Sequence, residues 1–313
     1  IEGRKLTTIL RAPDLTKAIE NIETVGAQNI SFTLQTPVPR IFSAHLEPLR
    51  NIADDGTAIV VAILDVTASR QTHQMRADFV ANASHEIRTP LATISGFIET
   101  LQGPAKNDPE ARENFLKIMS QHAERMSQLI DNLLSLSRIE MNEHSVPTDK
   151  VNMPTILTNV VNSLKWKAKE RSIQLEILLD DEIPSLRGDE SELTQLFHNL
   201  LDNSIKYSKE NSRVTIRAWL KPITRDNKTK NQNEMNISVC DESEGIPREH
   251  LTRLTERFYR VDTARSRKLG GTGLGLAIVK HIANRHRAEF NITSELGKGS
   301  CFTLIFPTHS VDE

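Results

Sequence analysis

Phe79-Val80-Ala81-Asn82-Ala83-Ser84-His85-Glu86-Ile87-Arg88-Thr89-Pro90-Leu91 decides the fold, because it opens one of two heptad stripes. Val80, Ser84, Ile87, Leu91, Ile94, Ile98 and Leu101 recur at alternating steps of four and three residues. That spacing keeps side chains on one face of a helix, here with a single polar member. Gly103, Pro104 and Pro109 then make a turn of the stretch after Leu101. Phe115, Met119, His122, Met126, Leu129, Leu133 and Leu136 form a second seam. Two helices with a short connection make an antiparallel hairpin, and pairing two hairpins into a four-helix dimer covers both stripes. His85 directly follows seam position Ser84, so it lies on the flank of the stripe, near the core yet able to reach solvent. Glu86 is adjacent and Thr89 is one turn on, on the same face. Pro90 frees the carbonyl of Glu86, which predicts a bend after the histidine. A His-Glu-x-x-His zinc motif fails, because Thr stands at position 89. A single histidine on such a helix is more often incidental, so this stretch alone assigns no chemistry.

Downstream, residues 151–313 alternate helix and strand. Helices are predicted at 154–169, 191–206 and 274–285, and strands at 173–179, 214–220, 235–241, 290–294 and 301–306. Lys221 to Asn233 is polar and unpatterned, and reads as an exposed loop. Three clusters here have chemical potential. Asn199, Asn203 and Lys206 share a helix face at i, i+4 and i+7, above a buried side of Leu196, Phe197, Leu200, Leu201 and Ile205. Two amides and an ammonium on one stripe suit a phosphate with its hydrated metal, since Mg²⁺ takes oxygen ligands and keeps several waters. The same pattern also describes the polar side of any amphipathic helix. Asp241 ends an apolar strand and is followed by Gly245-Ile246. An acceptor there can take a hydrogen bond from the exocyclic amine of adenine, although ordinary strand-end turns look alike. Gly270-Gly271-Thr272-Gly273-Leu274-Gly275-Leu276 lets backbone N–H groups approach phosphate oxygens, with a helix N-terminus behind them. It matches neither the dinucleotide fingerprint, since Leu276 occupies a glycine position and no strand precedes it, nor the Gly-x₄-Gly-Lys-Ser/Thr phosphate loop.

Together and in this order, the clusters resemble the sensor histidine kinases of two-component systems. His85 to Leu91 is similar to the family's H-box, Asn199 to Tyr207 to its N-box, and Asp241 to Ile246 to its G1 box. Phe258-Tyr259-Arg260 resembles the F box, Gly271 to Leu276 the G2 box, and Gly297-Lys298-Gly299-Ser300 the small turn near the end. The resemblance covers residues 70–308. The runs Leu254 to Asp262 and Phe79 to His85 resemble the phosphate-regulon sensor branch.

The resemblance implies an α+β multidomain chain. It comprises a partial PAS-like sheet over 1–70, a dimerisation and phosphotransfer hairpin over 71–142, a hinge over 143–150, and a Bergerat-type (GHKL) ATP-binding α/β sandwich over 151–313. It implies ATP-dependent autophosphorylation of His85, with Glu86 as the polarising base, followed by transfer to an aspartate of a response regulator. Thr89 would orient water when the regulator is dephosphorylated. Asn199 would ligate Mg²⁺, while Asn203, Lys206 and Tyr207 would line the phosphate side and Asp241 would read adenine. Gly271, Thr272, Gly273, Leu274, Gly275 and Leu276 would form a lid over ATP, with Gly245, Ile246, Arg257, Phe258 and Arg260 beside it. One position departs from the usual Asp-x-Gly-x-Gly pattern, where Ser243 replaces the first glycine. A non-glycine residue costs on the order of 1 kcal/mol if that backbone is left-handed, and nothing if it is ordinary. Two rival readings stay open: a Bergerat-fold ATPase, and a catalytically weak scaffold that only binds a regulator.

At the other end, Pro13-Asp14 opens an apolar-periodic helix, and three strands follow around Ile30–Leu34, Ile41–Leu46 and Ile59–Val66, with turns at Thr36-Pro37 and Asp54-Asp55-Gly56. The closing strand, ending Leu64-Asp65-Val66-Thr67, resembles that of a PAS domain whose first strands lie outside this chain. The sheet is expected to pair the dimer and pass torque into the first long helix. Composition limits the alternatives. At 313 residues the chain suits two or three domains. Lys+Arg 39 against Asp+Glu 41 leaves no basic excess for a nucleic-acid binder. Cys240 and Cys301 are far apart in sequence, which argues against a disulfide framework and for a reducing compartment. Ile1-Glu2-Gly3-Arg4 resembles a protease-site scar but is equally readable as native. No apolar run reaches membrane-spanning length, so the fragment is expected in the cytoplasm, its parent anchored in a bacterial inner membrane through segments absent here.

Overall fold

The computed structural model describes residues 10–35, 38–49, 59–143, 145–180, 182–222, 233–262 and 270–307. The expected turns at Thr36-Pro37 and Asp54-Asp55-Gly56, nearly all of the loop after Lys221, the segment before Gly270 and the Ile1–Arg4 start lie outside them. The chain forms two compact units, residues 1–83 and 84–313.

In the first unit Pro13 occupies the first turn of α1 (Pro13–Glu20), where a missing N–H costs nothing. A second short helix, α2 (Ile22–Val25), ends at Gly26. The strands β1 (Gln28–Leu34), β2 (Arg40–Pro48) and β3 (Ile59–Asp65) form the expected antiparallel sheet in that order. Leu15, Ile22, Phe32, Ala44 and Leu46 make its core. Asp65 bolts the sheet to the next helix, since its carboxylate accepts from the Thr67 N–H at 3.0 Å and the Thr67 hydroxyl at 2.6 Å. The same hydroxyl accepts from the Ile41 N–H at 2.8 Å. These hydrogen bonds from Thr67 hold Asp65 below the usual carboxylate range.

The long helix α3 (Thr67–Gln102) continues through Pro90. Helix α4 (Pro109–Met141) starts at the last proline of the expected turn, with Asp108 accepting from the Ala111 N–H at 2.9 Å and Pro109 at its first position. Phe97 and Phe115 stack with centroids 4.8 Å apart, pinning the hairpin near its turn.

The remainder builds one five-stranded sheet. Its elements are α5 (Met153–Glu170), β5 (Gln174–Leu179), α6 (Glu190–Tyr207), β7 (Arg213–Pro222), β8 (Asn233–Asp241), α8 (Gly275–Arg285), β9 (Glu289–Glu295) and β10 (Gly299–Pro307). A two-strand pair, β4 (Lys150–Val151) with β6 (Leu186–Arg187), and a single turn of helix, α7 (Arg248–Leu251), are too short to show in apolar periodicity. The strand order is β5-β7-β8-β10-β9, with only β5 and β7 parallel. Val214, Ile216, Ala218, Phe302, Leu304 and Phe306 alternate inward, and α6 packs against both α5 and α8. Here the cysteine reading needs correction. The β8–β10 register sets Cys240 opposite Cys301, with Cα atoms 4.0 Å apart, and a disulfide joins them. Sixty-one residues of separation in sequence say nothing about two strands that are neighbours in space. Among the described residues, no helix is long and apolar enough to cross a membrane.

Candidate functional site

The second unit holds a cavity of about 420 Å³. Its floor is the polar face of α6. Leu196, Phe197, Leu200, Leu201 and Ile205 are buried on the opposite side, which turns Asn199, Asn203, Lys206 and Tyr207 into the opening. Lys206 pairs with Asp202 at 2.6 Å, and Lys167 of α5 reaches the other oxygen of that carboxylate. Burial would raise Asp202, but the two lysines hold it below the ordinary carboxylate range. Burial lowers the neighbouring His198, and Lys167 and Lys206 add to that. Arg171, just past α5, donates to the carbonyls of Ile205, of Lys206 at 2.5 Å and of Ser208 at 3.1 Å, so it caps the C-terminus of α6. The i, i+4 spacing of Asp202 and Lys206 is readable from sequence. Lys167 and Arg171 are not, because they arrive from another helix.

The turn that begins at Asp241 follows β8. Asp241 Oδ1 accepts from the Ser243 N–H at 3.0 Å and the Ser300 N–H at 3.1 Å. Burial pushes its carboxyl above the ordinary range despite those bonds. The Gly297–Ser300 turn found in the sequence therefore braces this site. Gly245, with φ +74°, needs to be glycine: a Cβ there would lie 2.7 Å from the Glu295 carbonyl carbon and closer still to its oxygen. Ser243 is not among the residues of left-handed backbone, so its serine carries no backbone penalty. Its hydroxyl accepts from the Gly245 N–H at 3.2 Å. Ser243→Gly should accordingly change adenine-nucleotide affinity by no more than about fivefold in calorimetric titration, since one neutral hydrogen bond is worth about 1 kcal/mol. A gain beyond tenfold would mean that serine does compromise the turn.

The glycine-rich segment crosses the cavity. Gly271, Thr272, Gly273, Gly275 and Leu276 line it with Gly245, Ile246 and Arg260. Gly273 is left-handed and touches the backbone of Phe258, whose N–H donates to the Gly273 carbonyl at 2.8 Å. Gly275 opens α8 directly over Asn199 and Asn203. Three expected contact residues lie elsewhere: Leu274 is in the core, Phe258 supports Gly273 from behind, and Arg257 pairs with Glu140 of α4 at 2.5 Å.

The expected hairpin residues His85, Glu86 and Thr89 do not line this cavity. His85 and Thr89 are exposed and outside the cavity. The Thr89 hydroxyl donates to the His85 carbonyl at 3.1 Å. Glu86 does not serve His85 in this arrangement, because its carboxylate is held by Arg260 at 3.0 Å and Arg125 at 3.5 Å. Glu143 receives His281 and Asn284 of α8, so the segment after α4 is tied to the sheet domain.

Among the described residues no cluster of three or more His, Cys, Asp or Glu side chains could hold a metal. Among the carboxamides that line the cavity, Asn199 has a buried Nδ2 that makes no hydrogen bond. A single carboxamide oxygen fits Mg²⁺ brought in with a polyphosphate, which keeps most of its ligands as water and phosphate oxygens.

Comparison with known proteins gives matches over most of the chain. Residues 75–142 match the family described as His Kinase A (phospho-acceptor) domain, and residues 188–310 match Histidine kinase-, DNA gyrase B-, and HSP90-like ATPase. The Phosphate regulon sensor protein PhoR of Pseudomonas aeruginosa is 39% identical over 81% of the chain, which spans 55% of that protein. Sensor protein kinase WalK of Staphylococcus aureus is 30% identical over 93% of the chain and 68% of its own length. The solved histidine kinase ThkA, in complex with response regulator protein TrrA, aligns at a TM-score of 0.56 over 99% of the chain and 88% of its own, at 21% identity.

Proposed function

We propose, from the premise that this chain belongs to the sensor histidine kinases of two-component systems, that it transfers the γ-phosphoryl group of ATP to His85 and then to an aspartate of a response regulator. One observation carries the reading: the Asn199–Lys206 face, the Asp241 turn and the glycine lid open into a single cavity, in the same compact unit as an exposed His85. In the reaction a lone pair of the His85 imidazole attacks the γ-phosphorus and the bond to the β–γ bridging oxygen breaks, leaving ADP. Glu86, released from Arg260, would hold the other ring N–H and steady the positive charge that grows on the ring. Lys206 would offset charge on the phosphates, and Asp241 would accept from the adenine amine. Mg²⁺ held at Asn199 would neutralise phosphate charge. Because His85 is outside the cavity here, the ATP-binding part must shift on the hairpin before transfer. Thr89 would orient water in dephosphorylating the regulator. The likeness to the phosphate-regulon sensor supports phosphate-starvation signalling as the setting.

The kinase acts as a dimer through the hairpin. Leu91 and Ile98 on the α3 seam are half exposed in the single chain, as a dimer face requires. On α4 the uncovered stripe is Leu116, Ile130 and Leu134, whereas seam residues Leu129 and Leu136 are already buried. Ile130→Glu with Leu134→Glu should give monomers in light scattering at micromolar concentration, with the melting temperature of the ATP-binding part preserved. Leu129→Glu should instead lower the melting temperature by several degrees, because it puts an unpaired charge where a leucine is 3% exposed.

Incubation with γ-labelled ATP and Mg²⁺ tests the activity. An acid-labile, base-stable phosphoprotein is the expected product. Steady phosphate release without labelling would favour a plain ATPase, and neither outcome would leave only a regulator-binding scaffold.

A further inference from the structure

We infer that Gln128 and Asn132 of α4 contact the phosphates of the bound nucleotide, so that the hairpin supplies the second wall of the ATP site. The inference rests on reading the cavity as that site. Arg125, Gln128, Asn132 and Ser135 follow one another at steps of three, four and three, which puts them on one face of α4. Both ends of this stripe are tethered. Arg125 pairs with Glu86, and the Ser135 hydroxyl donates to Gln195 Oε1 at 2.8 Å. Gln195 lies one turn before Asn199 on α6, so the tether aligns the stripe with the polar face of that helix. Between the tethers, Gln128 and Asn132 line the cavity together with Asn199 and Lys206. Leu129 and Leu136, at 3% and 1% exposure, hold this side of α4 in place.

Unused donors converge on the space. Gln128 is exposed and Asn132 half-buried, so both amides stand at the rim of the cavity, and the Asn199 Nδ2 atom is buried without a partner. Arg260 lines the same cavity with a side chain 5% exposed and its Nε unbonded. Buried donors without acceptors are costly, and an anion with several oxygens satisfies them together. Asp241 takes the adenine end, which leaves the polyphosphate for these amides. A bound nucleotide then bridges the hairpin and the sheet domain.

Calorimetric titration of the whole chain with ADP and with adenosine tests this. Gln128→Glu with Asn132→Asp keeps side-chain shape and turns donors into like charges. ADP affinity should fall at least tenfold, with adenosine affinity unchanged within twofold. Gln128→Ala with Asn132→Ala should weaken ADP about threefold or more. If the double acidic variant melts below the wild type, the single Asn132→Asp decides, with an expected loss of at least threefold for ADP alone. Wild-type ADP affinity in these variants, or an equal loss for adenosine, overturns the inference while the ATP-site reading stands. A wild-type chain that binds neither ligand overturns that reading and this inference with it.

Discussion

His85→Gln should abolish incorporation of label from γ-labelled ATP while ADP affinity stays within about twofold. The substitution removes the one nucleophile that the mechanism uses. A carboxamide nitrogen has its lone pair delocalised into the carbonyl, so glutamine cannot take a phosphoryl group in its place. Nothing else is expected to change. His85 is exposed and outside the cavity, and glutamine is a good helix former, so α3 and the nucleotide site should keep their structure. The chain has 10 histidines, which makes the experiment discriminating: residual label would identify another acceptor. Both readouts come from one preparation, by filter assay and calorimetry. Retained labelling would refute the acceptor assignment, and lost ADP binding would mean that residue 85 contributes to the nucleotide site after all.

Gly245→Ala should remove measurable nucleotide binding, at least a hundredfold, and lower the melting temperature of the ATP-binding part by roughly 5–10 °C. Two costs add. At φ +74° an L-residue carries about 1–2 kcal/mol of strain. The new Cβ would also lie 2.7 Å from the Glu295 carbonyl carbon and 2.9 Å from Leu296 Cα. Both are backbone atoms of the β9–β10 turn, so no side chain can rotate away, and overpacking of this kind costs about 1–3 kcal/mol more. The displaced turn is the one that carries Ser300, whose N–H fixes Asp241. The damage therefore reaches Asp241, the proposed acceptor for adenine, through the backbone. Only two residues away, Ser243→Gly is expected to be nearly silent, and the contrast tests whether geometry or motif spelling governs this turn. Calorimetry and thermal melting of the two variants side by side provide the check; similar behaviour of the pair would refute the steric account.

The features readable from sequence are those with local causes. The heptad steps of Val80–Leu101 and Phe115–Leu136 required two long helices, because 3.6-residue periodicity is set by neighbours on one chain. The predicted helix starts at 154 and 191 lie one residue from the observed Met153 and Glu190, because Asn152 and Asp189 each hold an acceptor close to the N–H groups it satisfies. Asn199, Asn203 and Lys206 shared a face, and the glycine run from Gly270 to Gly275 marked backbone open to phosphate oxygens. Tertiary structure decided which surfaces those helices use. Periodicity shows that α4 has an apolar face but not what covers it, so Leu129 and Leu136 are buried within the chain while Ile130 and Leu134 stay open. The Glu86–Arg260 pair joins residues 174 apart, and strand register alone brings Cys240 to Cys301. Lys167 and Arg171 reach α6 across a helix interface, and Gln128 and Asn132 become a cavity wall only once α4 docks there. Side-chain type and spacing determine what a residue can do. Its partner depends on which distant segment packs against it, a choice made by the whole core.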